Sequence, residues 1–228
     1  ERTKLFVMFG VAEDHDSNPI KIGLGKLKAR GARVIGVNPI RSGYNAVADD
    51  WYGITPGTDG LLILSLIHCL FEAGKIDLDY LARWTNAPLL VNETEGPEKG
   101  LILKNAESQP FVIDRRTGAP APWDGKGVQP DLGATWQGHR TVFQHMAERY
   151  LAPEYAPEAV ADRCGIPAAR IRGLAAELAR VAFDQAIELP IAWTDFRGDA
   201  HTSMPGRSVS FHAMRGISAH SNGFQTAR

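Results

Sequence analysis

Polar residues and glycines suited to binding a phosphorylated ligand gather in three short segments of this sequence. They are Gly10–Pro19, Asn38–Ser42 and Pro56–Gly60, and each follows an apolar run or enters a predicted helix. In the first segment, Ser17 and Asn18 offer a hydroxyl, an amide and backbone N–H groups to a phosphate or a ribose. An ordinary capped turn is the alternative interpretation of this segment.

The second and third segments each contain a charged side chain with a more specific use. Arg41 presents a planar guanidinium that suits a phosphate or a purine edge, in the turn that Asn38 begins. Asp59 can accept two hydrogen bonds from the N1 and N2 donors of guanine, and Gly57 lets a base approach the backbone. A surface arginine and a carboxylate that only caps a helix are the structural alternatives.

A strand–helix–strand unit is predicted to position these segments. The apolar run Lys4–Phe9 predicts a buried strand, Pro19 starts a helix that Gly31 ends, and Arg33–Val37 predicts a second strand. Such a unit within about 35 residues imposes parallel pairing and a right-handed crossover. Ligands of parallel sheets bind beyond the carboxyl ends of the strands, which is where these segments lie.

The rest of the chain is expected to complete one α/β domain, 1–228, with an open, mostly parallel sheet flanked by helices. Thr58 is predicted to cap a helix that is apolar nearly all round and therefore lies inside the core. Prolines and glycines multiply over about 89–139, which predicts an inserted hairpin and a long surface loop. The remaining predicted elements are helices at Asp77–Trp84, Val142–Leu151, Pro157–Cys164 and Pro167–Phe183, a strand at Ile187–Ile191, and a ligand-facing loop at Ser208–Gly223.

Composition argues against several kinds of partner. With 25 basic and 26 acidic side chains the net charge is -1, so there is no broad positive field to hold nucleic acid. The mainly apolar run Leu61–Ile67 is far shorter than the roughly 20 residues that span a bilayer, so no direct membrane insertion is expected. Cys69 and Cys164 lack the paired spacing of a metal site, and no metal ligand is assigned. Gly23 and Gly25 lie inside a predicted helix, which disfavours a nicotinamide dehydrogenase.

Several ordered motifs connect the sequence with a known family. Val37–Ser42, Ala48–Trp51 and Pro56–Gly60 resemble, in order and spacing, the third domain of molybdopterin oxidoreductases of the dimethyl sulfoxide reductase family. Tyr155–Glu158 resembles the start of the same family's later helices. Arg215–Gly223 resembles its glycine and histidine loop near the metal.

This resemblance implies a bis(molybdopterin guanine dinucleotide) cofactor with molybdenum or tungsten. Ser17 and Asn18 would approach one dinucleotide, and Asp59 would bind its guanine. Arg41 would contact its phosphates or ribose, although the family usually has Asp-Pro-Arg here and the arginine of this chain is displaced by one position. His220, toward the pterin and the metal, is the catalytic candidate. The other expected cofactor contacts are Asn38, Gly57, Arg215, Gly216 and Asn222.

The resemblance also implies that the chain is an internal fragment of a larger enzyme. The [4Fe-4S] cluster and the metal-coordinating residue are expected in other parts of that polypeptide, and both ends of the chain look like cuts. Expected partners are the remaining domains and an iron–sulfur electron-transfer subunit, in the cytoplasm, with membrane association through partner subunits as an alternative. The intact enzyme would transfer an oxygen atom or electrons, and His212–Gly216 with His220–Gly223 resembles oxidoreductases of sulfite and other sulfur compounds. The fragment alone is expected to be inactive and to hold no cofactor.

Two other classes of protein remain open from the sequence. A flavodoxin-like nucleotide-binding module without a metal would share the strand–helix–strand unit and the loops after its strands. A catalytically inactive scaffold protein would share every motif. Cysteines and a metal ligand encoded upstream in the parent gene would distinguish an enzyme from such a scaffold.

Overall fold

In a computed structural model, the described part of the chain covers residues 2–10, 20–41, 43–213 and 215–227, with the side chain of Arg215 excepted. Its strands are β1 (Leu5–Phe9), β2 (Arg33–Val37), β3 (Asp50–Tyr52), β4 (Phe111–Asp114), β5 (Ala119–Pro122), β6 (Thr135–Trp136), β7 (His139–Arg140), β8 (Ile187–Leu189), β9 (Trp193–Thr194), β10 (Ala200–His201), β11 (Met204–Gly206) and β12 (Val209–Ala213). Its α-helices are α1 (Ile20–Ala29), α2 (Asp59–Glu72), α3 (Leu78–Trp84), α4 (Val142–Tyr150), α5 (Pro157–Cys164), α6 (Ala168–Ala179) and α7 (Gly223–Ala227).

The chain forms two compact units. Unit 1 comprises Glu1–Lys75, Ala152–Trp193 and His201–Arg228, and unit 2 comprises Ile76–Leu151 and Thr194–Ala200. The insertion predicted at about 89–139 lies within unit 2.

A four-stranded parallel sheet forms the centre of unit 1, in the order β12-β1-β2-β3. The inner strands β1 and β2 are apolar almost throughout because helices cover both faces of the sheet. In register, Ala213, Phe9, Val37 and Tyr52 are successive neighbours across the sheet. The chain therefore leaves all four strands at the same edge.

Helices pack on both faces of this sheet. On one face, Leu24 of α1 packs with Met8 and Val34. On the other, α2, α5 and α6 contribute to the main core, for example through Leu62 and Leu174. The predicted α/β class, with a parallel sheet flanked by helices, is therefore confirmed. The pairs β4–β5, β6–β7 and β8–β11 are antiparallel, so only part of the β-structure is parallel.

The prediction of a loop over Ser208–Gly223 is wrong for its first half, because Val209–Ala213 forms the strand β12. Ser210 and His212 alternate there with larger apolar residues such as Phe211. A period of two suits a strand at the edge of a sheet, where part of the surface stays in contact with water. Polar composition indicates a loop here, and the pairing with β1 is what makes this segment a strand.

The burial predicted for α2 is confirmed, because Leu62 and Leu66 belong to the main core and no residue of 59–71 is exposed. The cap predicted for this helix is wrong. The Thr58 side chain makes no capping hydrogen bond, and its hydroxyl donates instead to the carbonyl oxygen of Thr55 at 2.7 Å. No helix in the described ranges is long and apolar enough to cross a membrane.

Unit 2 contains the predicted hairpin and a helix behind it. The strands β4 and β5 pair in an antiparallel hairpin, and β6 and β7 form a second, shorter one. A small core of Leu90, Phe111, Ile113 and Ala134 lies beneath them. Thr141 starts α4 with a reciprocal capping box, which satisfies backbone donors at the helix start.

Candidate functional site

The segments that follow β1, β2, β3 and β12 define one surface, which we call the carboxyl edge. It includes Gly10, Asn38–Arg41, Thr55–Asp59 and His220–Asn222. Because the four strands are parallel, each of them delivers its next segment to this edge. Segments that are about 180 residues apart in the sequence are thereby brought to the same side of the sheet.

Some predicted site residues lie outside the described residues. Ser17 and Asn18 belong to this group. Arg215 and Gly216 lie in a 3-10 turn, Arg215–Ser218, that follows β12, and the side chain of Arg215 is likewise outside the described part. Their predicted contacts with a cofactor therefore stay predictions.

The turn after β2 is held by Asn38. This residue is buried, and its Nδ2 donates to the carbonyl oxygen of Ile40 at 2.9 Å. Its own carbonyl oxygen accepts a hydrogen bond from Trp51 Nε1 at 2.9 Å, and its backbone N–H donates to Tyr52. The amide of Asn38 thus fixes the turn, while Arg41, three residues later, is exposed to solvent.

The turn before α2 is held from two sides. Thr55 N–H donates to the carbonyl oxygen of Cys164 at 2.9 Å, and the Cys164 thiol faces the carbonyl oxygen of Thr58 at 3.9 Å. Burial raises the pKa of that thiol, so it stays protonated and serves as a weak donor. Gly57 adopts φ +80°, which favours glycine because it has no Cβ. The glycine predicted for close approach of a ligand is thus required by the backbone as well.

Asp59 and His220 lie close together where α2 begins. Asp59 is 6% exposed, and burial raises the pKa of its carboxyl while the nearby His220 partly opposes that rise. A Cβ built on Gly57 would lie 3.7 Å from the imidazole ring of His220. Asn222 Nδ2 donates to the carbonyl oxygen of Gly57 at 3.2 Å. Four residues predicted as site residues from two distant segments therefore form one local cluster, namely Gly57, Asp59, His220 and Asn222.

A further contact at this cluster was not foreseen from the sequence. A Cβ at Gly60 would lie 2.9 Å from Thr226 Oγ1, so α7 packs tightly against the first turn of α2. The Thr226 hydroxyl also donates to the carbonyl oxygen of Asn222 at 3.1 Å. Apart from Gly60 itself, no local pattern in the sequence signals this approach.

The carboxyl edge has the electrostatic features of a site for a phosphorylated ligand. The 14-residue helix α2 begins at this edge, so the positive end of its dipole lies there. Arg41, in the segment that follows β2, adds an exposed guanidinium. Asp59 supplies a carboxyl that can accept hydrogen bonds from a base. These features define a class of protein, the α/β proteins that hold ligands on the loops at the carboxyl ends of parallel strands.

Comparison with known proteins narrows this class. No family model matches the chain. A sulfite dehydrogenase subunit of Allochromatium vinosum is 44% identical over 100% of this chain and 25% of its own length. A protein of Halobacterium salinarum, whose assigned name is that of a dimethyl sulfoxide reductase catalytic subunit, is 32% identical over 67% of this chain and 19% of its own length. The nitrate reductase alpha chain of Bacillus subtilis is 27% identical over 59% of this chain and 12% of its own length.

These similarities place the chain in the dimethyl sulfoxide reductase family of molybdopterin oxidoreductases. The resemblance predicted from its sequence motifs is confirmed. The chain spans a quarter or less of the length of these relatives. A flavodoxin-like module without a metal is not favoured by this set of relatives.

Proposed function

We propose that this chain is a cofactor-binding part of a molybdenum or tungsten oxidoreductase that transfers oxygen atoms or electrons. A relative named as part of a sulfite dehydrogenase, 44% identical over the whole chain, makes sulfite or another sulfur compound the proposed substrate class. The observation that carries the proposal is the convergence of Gly57, Asp59, His220 and Asn222 at the carboxyl edge.

The ligand proposed for this edge is one half of a bis(molybdopterin guanine dinucleotide) cofactor. Arg41 would contact its phosphates or ribose, and Asp59 would accept hydrogen bonds from its guanine. His220 and Asn222 would lie toward the pterin. Asn38 contributes by fixing the turn that presents Arg41. Ser17, Asn18, Arg215 and Gly216 complete the proposed contacts.

The residues at this edge fit such a ligand in charge and in kind. An exposed guanidinium and the positive end of α2 complement phosphate groups. A carboxyl, rather than an amide, complements the two N–H donors of guanine. Gly57 leaves the turn before Asp59 without a side chain at that position.

When bound, the metal and its pterins would supply the redox chemistry, and the chain would supply binding and orientation. The first turn of α2 and Arg41 would fix the nucleotide end of the cofactor. The helix α7 would support the first turn of α2 through its contact with Gly60. Both compact units would form one domain, 1–228, of the longer enzyme. That enzyme would carry a [4Fe-4S] cluster elsewhere and pass electrons to an iron–sulfur subunit in the cytoplasm. The 228-residue chain alone would be inactive.

Replacement of Asp59 tests the guanine contact. In the full-length enzyme, Asp59→Asn keeps the size of the side chain but turns an N–H₂ group toward the guanine donors. We expect a loss of bound guanine nucleotide and molybdenum, measured by chromatography of the released cofactor and by elemental analysis. Asp162→Asn, at an exposed site on α5, is the matched control and should retain full cofactor content. Equal cofactor content in both variants would exclude Asp59 as the guanine acceptor.

A further inference from the structure

A cluster of aromatic rings in unit 2 surrounds a cavity that the proposed cofactor contacts do not use. Phe196 meets Trp84 edge-on at 5.4 Å between ring centroids, and it stacks on Trp123 at 6.0 Å with an interplanar angle of 16°. These rings border a cavity of about 470 Å³. Phe196 is 53% exposed and Trp123 is 42% exposed, so the cluster keeps much of its apolar surface in water. Grouped, exposed apolar surface of this kind is characteristic of binding sites.

Arg197 lies beside these rings with part of its guanidinium unsatisfied. Its Nη2 donates to the carbonyl oxygen of Trp123 at 3.0 Å, and its central carbon lies 5.1 Å from the centroid of the Phe196 ring. Its Nε is buried and makes no hydrogen bond with any described residue. A buried N–H donor is costly to leave unpaired, so a small movement of the side chain that gave it an acceptor from a ligand would be favourable here.

A smaller polar cavity of about 300 Å³ adjoins the aromatic one. Ala82, Arg83 and Arg197 border both cavities, so the two lie side by side. The polar cavity is also bordered by Arg115, Asp79 and Asp199. Three guanidinium groups and two carboxylates leave a formal charge of +1. An aromatic cavity thus lies next to a weakly cationic one.

We propose that these two cavities form a binding site for a flat aromatic compound with a negatively charged substituent, of the size of a mononucleotide. The ring system would pack against the exposed aromatic surface of Phe196 and Trp123, and the anionic group would lie among the guanidinium groups of Arg83, Arg115 and Arg197. The cavity volumes fall in the range of roughly 300–1,000 Å³ typical of small-molecule sites. The site lies on unit 2 and is independent of the carboxyl edge.

Titration of the 228-residue protein with adenosine monophosphate tests this site. We expect saturable binding by calorimetry, accompanied by quenching of tryptophan fluorescence. Adenosine, which lacks the anionic group, should bind at least about tenfold more weakly, and inorganic phosphate should not quench the fluorescence. Trp123→Phe should remove most of the quenching while leaving the affinity for the nucleotide similar.

Two arginine variants locate the anionic group, with a matched control. Arg197→Gln and Arg115→Gln should each weaken binding of the nucleotide by about tenfold. Arg30→Gln, an exposed site in unit 1, should leave the affinity unchanged. The exposed position of Arg115 makes its variant informative even if Arg197→Gln folds poorly. The proposal is overturned if the wild type shows no saturable binding, if adenosine binds as tightly as the nucleotide, or if Arg115→Gln binds like the wild type.

Discussion

Asn38 determines the shape of the turn that presents Arg41, and a single substitution tests this role. Asn38→Asp replaces the Nδ2 donor by a second oxygen, which would face the carbonyl oxygen of Ile40 across the present 2.9 Å. Loss of one hydrogen bond costs about 1 kcal/mol, and burying an unpaired carboxylate adds further cost. Because Asn38 is only 4% exposed, we expect a total destabilisation of about 3 kcal/mol at pH 7. Asn38→Ala, which removes the donor without adding charge, should cost about 1–2 kcal/mol.

The effect of Asn38→Asp should depend on pH in a defined direction. Burial and the facing carbonyl raise the pKa of the new carboxyl in the folded protein above its value in the unfolded chain. Its contribution to stability is therefore intact below the unfolded pKa and is lost as the pH rises through the folded pKa. Denaturant unfolding of both variants and the wild type at pH 4 and pH 7 measures this. If Asn38→Asp is as stable as the wild type at pH 7, or equally destabilised at both pH values, the role assigned to Asn38 is wrong.

Two further predictions concern α5 and α6. Paired hydrogen bonds from Arg172 hold the pKa of Glu158 at about 2, so in Arg172→Met we expect that pKa to return toward 4.5, as measured by NMR titration. Because the folded pKa is depressed, the wild type should lose the stability that this pair provides as the pH falls from about 4.5 toward 2, and the variant should not. If the free energies of unfolding of the two proteins fall equally over this pH range, the prediction is wrong. Gly165 has φ +69° and a Cβ there would lie 3.0 Å from Thr55 Oγ1, so Gly165→Ala should lower the free energy of unfolding by about 1–2 kcal/mol. Gly173→Ala, where a Cβ meets none of the described atoms within 4 Å, should raise the free energy of unfolding by about 0.5–1 kcal/mol. If denaturant unfolding shows that both glycine variants change the free energy of unfolding in the same direction, this reasoning is wrong.

Elements with strong local signals were predictable from the sequence. The strand Arg33–Val37 has the same bounds in the structure as in the prediction, because an apolar run ends there at a polar turn. The helix Pro157–Cys164 also matches, since proline starts it and Gly165 in the left-handed conformation ends it. In both cases the determining interactions lie within a few residues of the element.

Features that depend on distant contacts were not predictable in the same way. The segment Thr194–Ala200 belongs to unit 2 although more than 40 residues separate it from Leu151, the last preceding residue of that unit. The strand β12 pairs with β1, and only this pairing distinguishes its alternating polar residues from those of a loop. The hydrogen bond from the Asn38 amide to the carbonyl oxygen of Ile40, which fixes the turn, was likewise not foreseen from the sequence.

The candidate site depends on the last strand of the sheet more than on any local motif. Gly57 and Asp59 lie after β3 at one end of the sheet, whereas His220 and Asn222 come after β12 at the other end. Their meeting requires β12 to pair in register with β1, across some 200 residues of chain, and the entropy of closing so long a loop must be offset by that pairing. A segment that contributes little to the core therefore controls the geometry of the site, because without β12 the turn before α2 would lose the hydrogen bond from Asn222 and its contact with His220.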